Sequence, residues 1–328
     1  MSIISVRSLS KTYKIAEKLP GIKGTLKHFV SRTYRSVHAV DNINLDINQG
    51  EIVGFLGSNG AGKTTTLKML CGLLHPSSGS VTVAGYTPVQ RKHNFLRQIT
   101  LVMGQKQQLI WDLPPLDSLR VNAAVFGIPE SEATRRIEEL ASMLDLGSEL
   151  LRPVRKLSLG QRMKAEFLAA LLHRPSVLFL DEPTLGLDIN SQIKVREFLR
   201  EYNQKYSATI LLTSHYMADI QSLCKRVVLI HSGKIFHDGS LKELTARLSP
   251  CRYVQIELKT PIAKEQFSQY GEIIDYSPHL IKLIIPKDRL TFRLTSILNS
   301  FPVKDLEVTD APIEKLIGQL LQDGYVST

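Results

Sequence analysis

The sequence has no long apolar run, few cysteines and a single tryptophan. No segment reaches the roughly 20 consecutive apolar residues that a bilayer-spanning helix needs, so we expect no transmembrane helix. Cys71, Cys224 and Cys251 are far apart and match no metal-ligand spacing, which argues against a metal site and suits a reducing cytosol. The first residues lack the basic region, apolar run and cleavage site of a signal peptide.

The composition is that of an ordinary globular protein: 328 residues, 43% hydrophobic and 22% charged, enough for one large α/β domain and a smaller one. The net charge of +10 is unevenly distributed, because seven Lys or Arg residues and only one acid, Glu17, lie between positions 11 and 38. Such a cluster is compatible with nucleic-acid contact, anionic-membrane contact or a solvated face, and composition alone does not choose.

Strands and helices alternate over three quarters of the chain, which predicts a doubly wound parallel sheet with ligand chemistry at the carboxyl ends of its strands. Residues 43–47 alternate apolar and polar, as a half-buried strand does, whereas residues 51–56 do not alternate, as expected for a strand buried on both faces. Further strands are predicted at 3–6, 79–83, 177–180, 210–213 and 227–230. Helices are predicted at 63–73 and over much of a helical subdomain, residues 106–172.

Two further regions flank or interrupt this α/β pattern. A basic insert (residues 14–38) separates the first two strands, and its apolar residues recur at helical spacing from Ile22 to Tyr34, which predicts an amphipathic helix. Ser249-Pro250 marks the boundary between a first domain (1–248) and a second domain (249–328). In the second domain we predict strands at 253–258, 272–276, 280–285 and 303–308, helices at 262–270 and 290–299, and a last helix. This βαββαβ order predicts a small α+β, ferredoxin-like domain.

The run of residues 57–65 matches the P-loop pattern and lies between a predicted buried strand and a predicted helix. Glycines let the backbone curl so that successive N–H groups and the helix N-terminus face phosphates. Lys63 is placed to reach the β- and γ-phosphates, and the Thr64 hydroxyl to bind Mg²⁺. The candidate nucleotide-binding residues are Gly57, Ser58, Asn59, Gly60, Ala61, Gly62, Lys63, Thr64 and Thr65.

Two adjacent acids, Asp181 and Glu182, follow the unbroken apolar strand at residues 177–180. An acid at the end of a buried strand beside the phosphates can hold Mg²⁺ through water, and its neighbour can orient and activate the attacking water. Together with the P-loop lysine, the pair predicts nucleotide hydrolysis.

Four further features, which occur along the chain in the order typical of the family, make the sequence resemble the ATPases of the ABC transporter family. Residues 157–162, Leu-Ser-Leu-Gly-Gln-Arg, are similar to the ABC signature motif and are called the signature segment below; Leu159 stands where the commonest signature has glycine. Residues 185–188 resemble the D-loop, His215 the switch histidine and Gln105 the Q-loop glutamine. The resemblance covers residues 1 to about 245, and it implies a P-loop NTPase fold with an antiparallel β subdomain and a helical subdomain.

The resemblance also implies how the site works. ABC ATPase domains form dimers that hold two ATP molecules between them, so a homodimer or a heterodimer of ATPase subunits is expected, with ATP and Mg²⁺ bound. It implies Glu182 as the general base, His215 at the γ-phosphate, and Gln105 with Thr64 and Asp181 at Mg²⁺. The residues implied to serve the partner's ATP are Ser158, Gly160, Gln161 and Asp188.

The adenine base is expected to stack on an aromatic side chain near the end of the first strand. Two candidates are open. Tyr13 directly follows the run Leu9-Ser10-Lys11-Thr12, and Tyr34 lies 29 residues before Lys63, the usual separation in relatives without an insert.

The function expected from these features is that of an ATP-binding, ATP-hydrolysing subunit, similar to the ATPases of drug, daunorubicin and polymer exporters whose permeases are separate chains. It would sit at the cytoplasmic face of the membrane through those permeases, with Trp111 a candidate contact and the basic insert another. An importer ATPase, or a soluble ABC ATPase acting on ribosomes or nucleic acid, is the alternative. Ribosome-acting members carry two ATPase domains and this chain has one P-loop, so no nucleic acid is expected.

Overall fold

Three β-sheets and the helices packed on them are seen in the computed structural model, which describes residues 2–17, 33–104, 108–214, 216–248 and 251–310. The chain divides into two units, residues 1–239 and 240–328. Gln105, His215, residues 18–32 of the basic insert and the predicted last helix lie outside the described residues.

The first unit alternates strands and helices. Its strands are β1 (Ser2–Glu17), β2 (Thr33–Asn48), β3 (Ile52–Leu56), β4 (Ser78–Val83), β5 (Ile99–Met103), β6 (Val177–Asp181), β7 (Thr209–Thr213), β8 (Arg226–His231) and β9 (Lys234–Ser240). Its helices are α1 (Lys63–Leu70), α2 (His93–Leu96), α3 (Pro115–Val125), α4 (Glu130–Met143), α5 (Leu159–Leu171), α6 (Ile189–Tyr206) and α7 (Met217–Leu223).

A six-stranded sheet in the order β5-β6-β7-β3-β8-β9 forms the centre of this unit. The pairs β5–β6, β6–β7, β7–β3 and β3–β8 are parallel, so the carboxyl ends of these five strands meet at one edge. Val177, Leu178, Phe179 and Leu180 on β6 are each 0% exposed, because helices cover both faces of a parallel sheet. The predicted doubly wound parallel sheet is confirmed. Strands β5 and β9 were not predicted.

A second, antiparallel sheet in the order β2-β1-β4 packs its apolar face onto α1 and the central sheet. Ile43, Leu45 and Ile47 are buried while Asn44 and Asp46 are exposed, as their alternation predicts. β1 and β2 continue beyond this face as a ribbon that pairs residues 12–17 with residues 33–38, and residues 13–16 and 34–38 of this ribbon are exposed.

The helix predicted for the basic insert is wrong at its C-terminal end, where the chain forms a strand of this ribbon. Tyr34, the last member of the helical pattern, lies on β2 and pairs with Ala16. Because β1 and β2 satisfy each other's backbone N–H and C=O groups here, strand pairing replaces the helix that side-chain spacing suggested. The rest of the pattern, residues 22–30, lies outside the described residues.

The second unit contains α8 (Leu241–Leu248), β10 (Cys251–Leu258), β11 (Glu272–Ser277), β12 (Leu280–Pro286), α9 (Leu290–Ser300) and β13 (Val303–Asp310). Its sheet has the order β11-β12-β10-β13 with antiparallel neighbours, so β12 lies between β10 and β11 as in a split βαβ unit. The predicted helix at 262–270 is wrong, since the chain makes only a 3₁₀ turn at Lys264–Phe267. Phe267 alone anchors that turn in the core, and one buried side chain provides no helical stripe.

No described helix of either unit is both long and apolar enough to cross a membrane.

Candidate functional site

The carboxyl ends of the central strands gather the predicted phosphate-binding and acidic residues. β3 leads into residues 57–65, β6 ends at Asp181, and β7 ends at Thr213. β6 and β7 are direct neighbours, and β7 pairs with β3 on its other side. The P-loop and the two acids therefore converge at one edge of the sheet, where a doubly wound fold binds its ligands.

The P-loop presents an uncapped helix N-terminus. Helix α1 starts after Gly62, which has a φ of 108°, and no side chain caps its first turn and no acid lies within it. An added Cβ on Gly62 would overlap the Ala39 carbonyl oxygen, so both conformation and space require glycine. The first N–H groups of α1 and its positive dipole end are thus suited to an anion.

Lys63 lies across this loop and is 7% exposed. Its Nζ donates to the carbonyl oxygens of Gly57 at 2.7 Å and Ser58 at 3.0 Å. Burial lowers the pKa of Lys63, while the nearby charges of Glu182 and Asp181 act in the opposite direction. A bound triphosphate would replace the two carbonyl contacts with anionic oxygens, which a buried ammonium binds more strongly.

Asp181 and Thr64 form a set of hard oxygen donors. The Thr64 hydroxyl lies 3.2 Å and 3.0 Å from the two Asp181 carboxylate oxygens, and the Thr213 hydroxyl donates to Asp181 Oδ1 at 2.8 Å. A hydroxyl and a carboxylate on one side of a phosphate site suit Mg²⁺, which prefers few protein oxygens together with water and phosphate.

Glu182 has a left-handed backbone, with a φ of 55°. Its N–H donates to the hydroxyl of Thr213 at 3.0 Å and to the carbonyl of Thr213 at 3.2 Å. A glutamate in this region of backbone space is strained, and such strain persists where neighbouring contacts hold it. The half-buried Glu182 is therefore fixed at the end of β6, directly after Asp181.

The signature segment forms the N-terminus of α5. Ser158 Oγ accepts from the Gln161 N–H at 3.2 Å, and Gln161 Oε1 accepts from the Ser158 N–H at 3.0 Å, a complete capping box. Leu159 occupies the first helical position with its side chain 42% exposed, so the helix start tolerates leucine where glycine is commoner. Ser158 is exposed.

Gly160 allows this helix start to lie against the start of α6. An added Cβ on Gly160 would overlap the Ser191 hydroxyl and lie 3.4 Å from Asp188 Oδ2. Asp188 caps α6 by accepting from the Ser191 N–H at 2.9 Å and the Ser191 hydroxyl at 2.6 Å. These bonds hold the pKa of Asp188 below its usual range. The close approach of Gly160 to Ser191 and Asp188 places the signature segment against the D-loop within one chain.

Asp219 was not predicted from the sequence, although it connects three parts of the site. It is 1% exposed, accepts from the hydroxyls of Thr184 and Ser214, and accepts from Arg196 Nη1 at 2.9 Å. Thr184 follows the adjacent acids Asp181 and Glu182, Ser214 precedes His215 in the sequence, and Arg196 lies on α6. No motif marks Asp219, because its partners come together only in the folded chain.

For the two remaining motif positions, the structure describes only neighbouring residues. Gln105 and His215 lie outside the described residues, but the Gly104 N–H donates to the Asp181 carbonyl at 3.2 Å and Ser214 contacts Asp219. Trp111 is 45% exposed, with the Arg162 guanidinium carbon 5.3 Å from its ring centroid.

The two candidate adenine-stacking residues lie on opposite faces of the β1–β2 ribbon. Tyr13 pairs with Val37 and Tyr34 pairs with Ala16, and residues that are an odd number apart on a strand point to opposite faces. Tyr13 is 37% exposed and Tyr34 54% exposed.

Comparisons with known proteins identify the family of this chain. Residues 40–185 match the family described as ABC transporter, and residues 250–309 match the C-terminal domain of EvrA-like ABC transporters. The chain is 38% identical over 208 residues to ABC transporter ATP-binding protein NatA of Bacillus subtilis, covering 63% of this chain and 84% of that protein. It is 33% identical over 249 residues to Nod factor export ATP-binding protein I of Burkholderia pseudomallei, covering 76% of this chain and 81% of that protein.

The fold is also similar to the solved structure of cbiO1 from Clostridium perfringens, described as part of the ABC transporter complex cbiONQ. The TM-score is 0.61 at 25% identity, covering 75% of this chain and 91% of that one. A P-loop, two acids at the end of the neighbouring strand and a capped signature helix occur here in one sheet and its attached helices. The chain is therefore an ATP-binding subunit of the ABC transporter family.

Proposed function

We propose that this chain hydrolyses ATP with Mg²⁺ in a two-copy sandwich and couples closure of that sandwich to export through separate permease subunits. The observation that carries the proposal is the convergence of Lys63, Thr64, Asp181 and Glu182 at the carboxyl ends of β3 and β6, beside an uncapped helix N-terminus.

Each of these residues has one role in the proposal. The N–H groups of residues 57–65 and the Lys63 ammonium bind and orient the triphosphate. Thr64 and Asp181 would hold Mg²⁺, which neutralises phosphate charge when bound. Glu182 accepts a proton from the attacking water. Its strained backbone is held by two hydrogen bonds from its N–H to Thr213, which fix the position of the Cα that carries this side chain. Gln105 and His215 keep the roles that the family resemblance implies, at Mg²⁺ and at the γ-phosphate.

The sandwich follows from the signature segment. Ser158, Gly160 and Gln161 lie at the N-terminus of α5, whose dipole favours an anion, and Asp188 lies against them. We propose that these residues contact the ATP held by the other copy. One chain carries both the P-loop half and the signature half of a site, so two copies make two complete sites; a heterodimer with a related subunit is the other arrangement.

Tyr13 is the proposed adenine-stacking residue. Its strand partner Val37 is two residues from Ala39, whose carbonyl lies against Gly62 of the P-loop, whereas Tyr34 is five residues from Ala39. Since the two tyrosines lie on opposite faces of the ribbon, a single base stacks on only one of them.

Transport is proposed from two observations. A relative of similar length is named as an export ATP-binding protein, and the exposed apolar residues Ile110 and Trp111 form a surface that fits a hydrophobic partner. We propose that a permease contacts this surface and holds the subunit at the cytoplasmic face of the membrane. The export direction rests on that relative, and an importer is the alternative.

Substitution of the proposed base tests the hydrolytic part. Glu182→Gln keeps the size of the side chain but cannot accept the proton, so ATP turnover by the purified protein is expected to fall by about 10² to 10⁴. ATP binding, measured by equilibrium dialysis, should be retained. Glu197→Gln, the same change at an exposed position on α6, is the control and should hydrolyse ATP normally. Undiminished turnover in Glu182→Gln would remove Glu182 from this role.

A further inference from the structure

A buried carboxylate joins α5, the helix of the signature segment, to residues 108–113, called the anchored segment below. Glu166 lies about two turns after Ser158 on α5 and is 4% exposed. Its carboxylate accepts from the N–H groups of Gln108 at 2.8 Å and Leu109 at 3.3 Å. Burial raises the pKa of Glu166, and these two backbone donors act in the opposite direction. A charge in this position is costly unless hydrogen bonds compensate it, which makes both bonds necessary to the local structure.

Other contacts fix the rest of the anchored segment to the same helical region. The Ile110 N–H donates to the hydroxyl of Ser118 on α3 at 3.1 Å. The Arg155 N–H donates to the Trp111 carbonyl at 3.1 Å, and the Arg162 guanidinium from α5 lies beside the Trp111 ring. The exposed Trp111 is therefore attached to the helical region that contains Ser158.

The chain just before the anchored segment is held at the catalytic acids. The Gly104 N–H donates to the Asp181 carbonyl at 3.2 Å. From Gly104 to Gln108 the chain can span at most about 14 Å, so a shift at one anchor must be accommodated within three intervening residues or passed to the other anchor. At the Gln108 end of the segment, Glu166 accepts both hydrogen bonds that the structure describes between this backbone and α5.

We propose that Glu166 is a positioning residue that makes the anchored segment and α5 move together, so that ATP binding beside Asp181 and Glu182 shifts Ser158 and the Trp111 surface in one motion. Without this carboxylate, the N–H groups of Gln108 and Leu109 lose their acceptor, and the Gln108 end of the segment is no longer hydrogen-bonded to α5. The inference rests on the proposed function, because it requires ATP at the P-loop.

Trp111 is the only tryptophan of the chain and lies inside the anchored segment, so its fluorescence reports on this motion. In a Glu182→Gln protein, where bound ATP persists, MgATP is expected to shift the Trp111 emission. Adding Glu166→Met, which keeps the volume but removes both acceptors, should abolish that shift while the Kd for ATP changes less than about threefold. In the otherwise unchanged protein, Glu166→Met should lower kcat by about tenfold, as expected for loss of a hydrogen bond to a charged group, and leave KM for ATP unaltered.

Glu139→Gln is the matched control. Glu139 is a half-buried acid of the same helical region that contacts Arg174, Lys205 and Tyr206 rather than the anchored segment, so its variant should keep the emission shift. If Glu166→Met does not fold, Glu166→Gln keeps one acceptor oxygen and should retain a reduced shift. An unchanged shift in the folded Glu166 variant, or a parent that binds ATP with no shift, would overturn the inference. A parent that binds no ATP would instead overturn the proposed function.

Discussion

At the scale of single residues, the β1–β2 ribbon separates two tyrosines that the sequence alone leaves equivalent. Tyr13 and Tyr34 are both exposed, but strand pairing places them on opposite faces. Lys11 Nζ lies 5.4 Å from the Tyr13 ring centroid, so the Tyr13 ring makes a cation–π contact. The ring is thus held beside a positive charge that also suits a nucleotide's phosphates.

Alanine substitution distinguishes the two tyrosines. Base stacking on an aromatic ring contributes about 1–3 kcal/mol, so Tyr13→Ala is expected to raise the KM for ATP by roughly tenfold with kcat little changed. Tyr34→Ala is the control, and its KM should equal that of the parent. Steady-state ATPase kinetics of the two purified variants give the answer; the reverse ranking would assign the stacking role to Tyr34.

How far the site could be read from the sequence depends on whether a residue acts locally. The P-loop and the adjacent acids are each recognisable from short-range spacing, and the structure places the Thr64 hydroxyl within hydrogen-bond distance of Asp181. Asp219 and Glu166 act through partners distant in the chain. No local pattern identifies them, since their chemistry arises only when the helices pack.

At the scale of elements, the anchored segment exposes two apolar side chains while hydrogen bonds to the helical region fix its backbone. Ile110 is 47% exposed and Trp111 45% exposed, although the N–H of Ile110 and the carbonyl of Trp111 are both hydrogen-bonded. A rigid surface that displays a tryptophan is typical of a binding interface.

Removal of the Trp111 side chain tests the proposed permease contact. Truncation of a central interface tryptophan costs about 2 kcal/mol or more, so Trp111→Ala should lower recovery with the membrane fraction of its own host at least several-fold. Quantitative immunoblotting of membrane and supernatant measures it, with ATP binding checked separately. Phe292→Ala removes an aromatic that is 78% exposed on α9 of the second unit, and serves as the control. Equal recovery of both variants would place the permease contact elsewhere.

The pattern of apolar residues predicted the elements that pack into a core. It failed where strand pairing or sparse contact with the core determines the backbone conformation. The amphipathic α4 lies within the predicted helical subdomain, and β6, an unbroken apolar run, occurs where a buried strand is predicted. In the basic insert, pairing between β1 and β2 overrides the helical spacing that includes Tyr34. At residues 262–270, Phe267 is the only fully buried side chain, with Ile262 and Tyr270 partly buried at the two ends, and the chain makes only a 3₁₀ turn.

At the scale of the whole molecule, the proposed sandwich requires each chain to hold two different halves of a nucleotide site. The P-loop half lies at the ends of β3 and β6, and the signature half lies at the N-terminus of α5. The hydrogen bonds of Ser158 and Gln161 run to each other and to Glu149, within the helical region. We expect ATP to join the halves of two copies, because ATP can favour closure only by binding the closed pair more tightly than the separate chains.

The most direct test of this account is the mass of the Glu182→Gln protein in solution, measured by light scattering with and without MgATP. The account predicts one copy without nucleotide and two copies with it. It also predicts that adding Ser158→Arg, which places a bulky cation at the shared interface, keeps the protein at one copy, whereas Ser300→Arg at the exposed end of α9 does not. A single copy in the presence of bound ATP, or a pair that forms despite Ser158→Arg, would contradict the shared two-site sandwich.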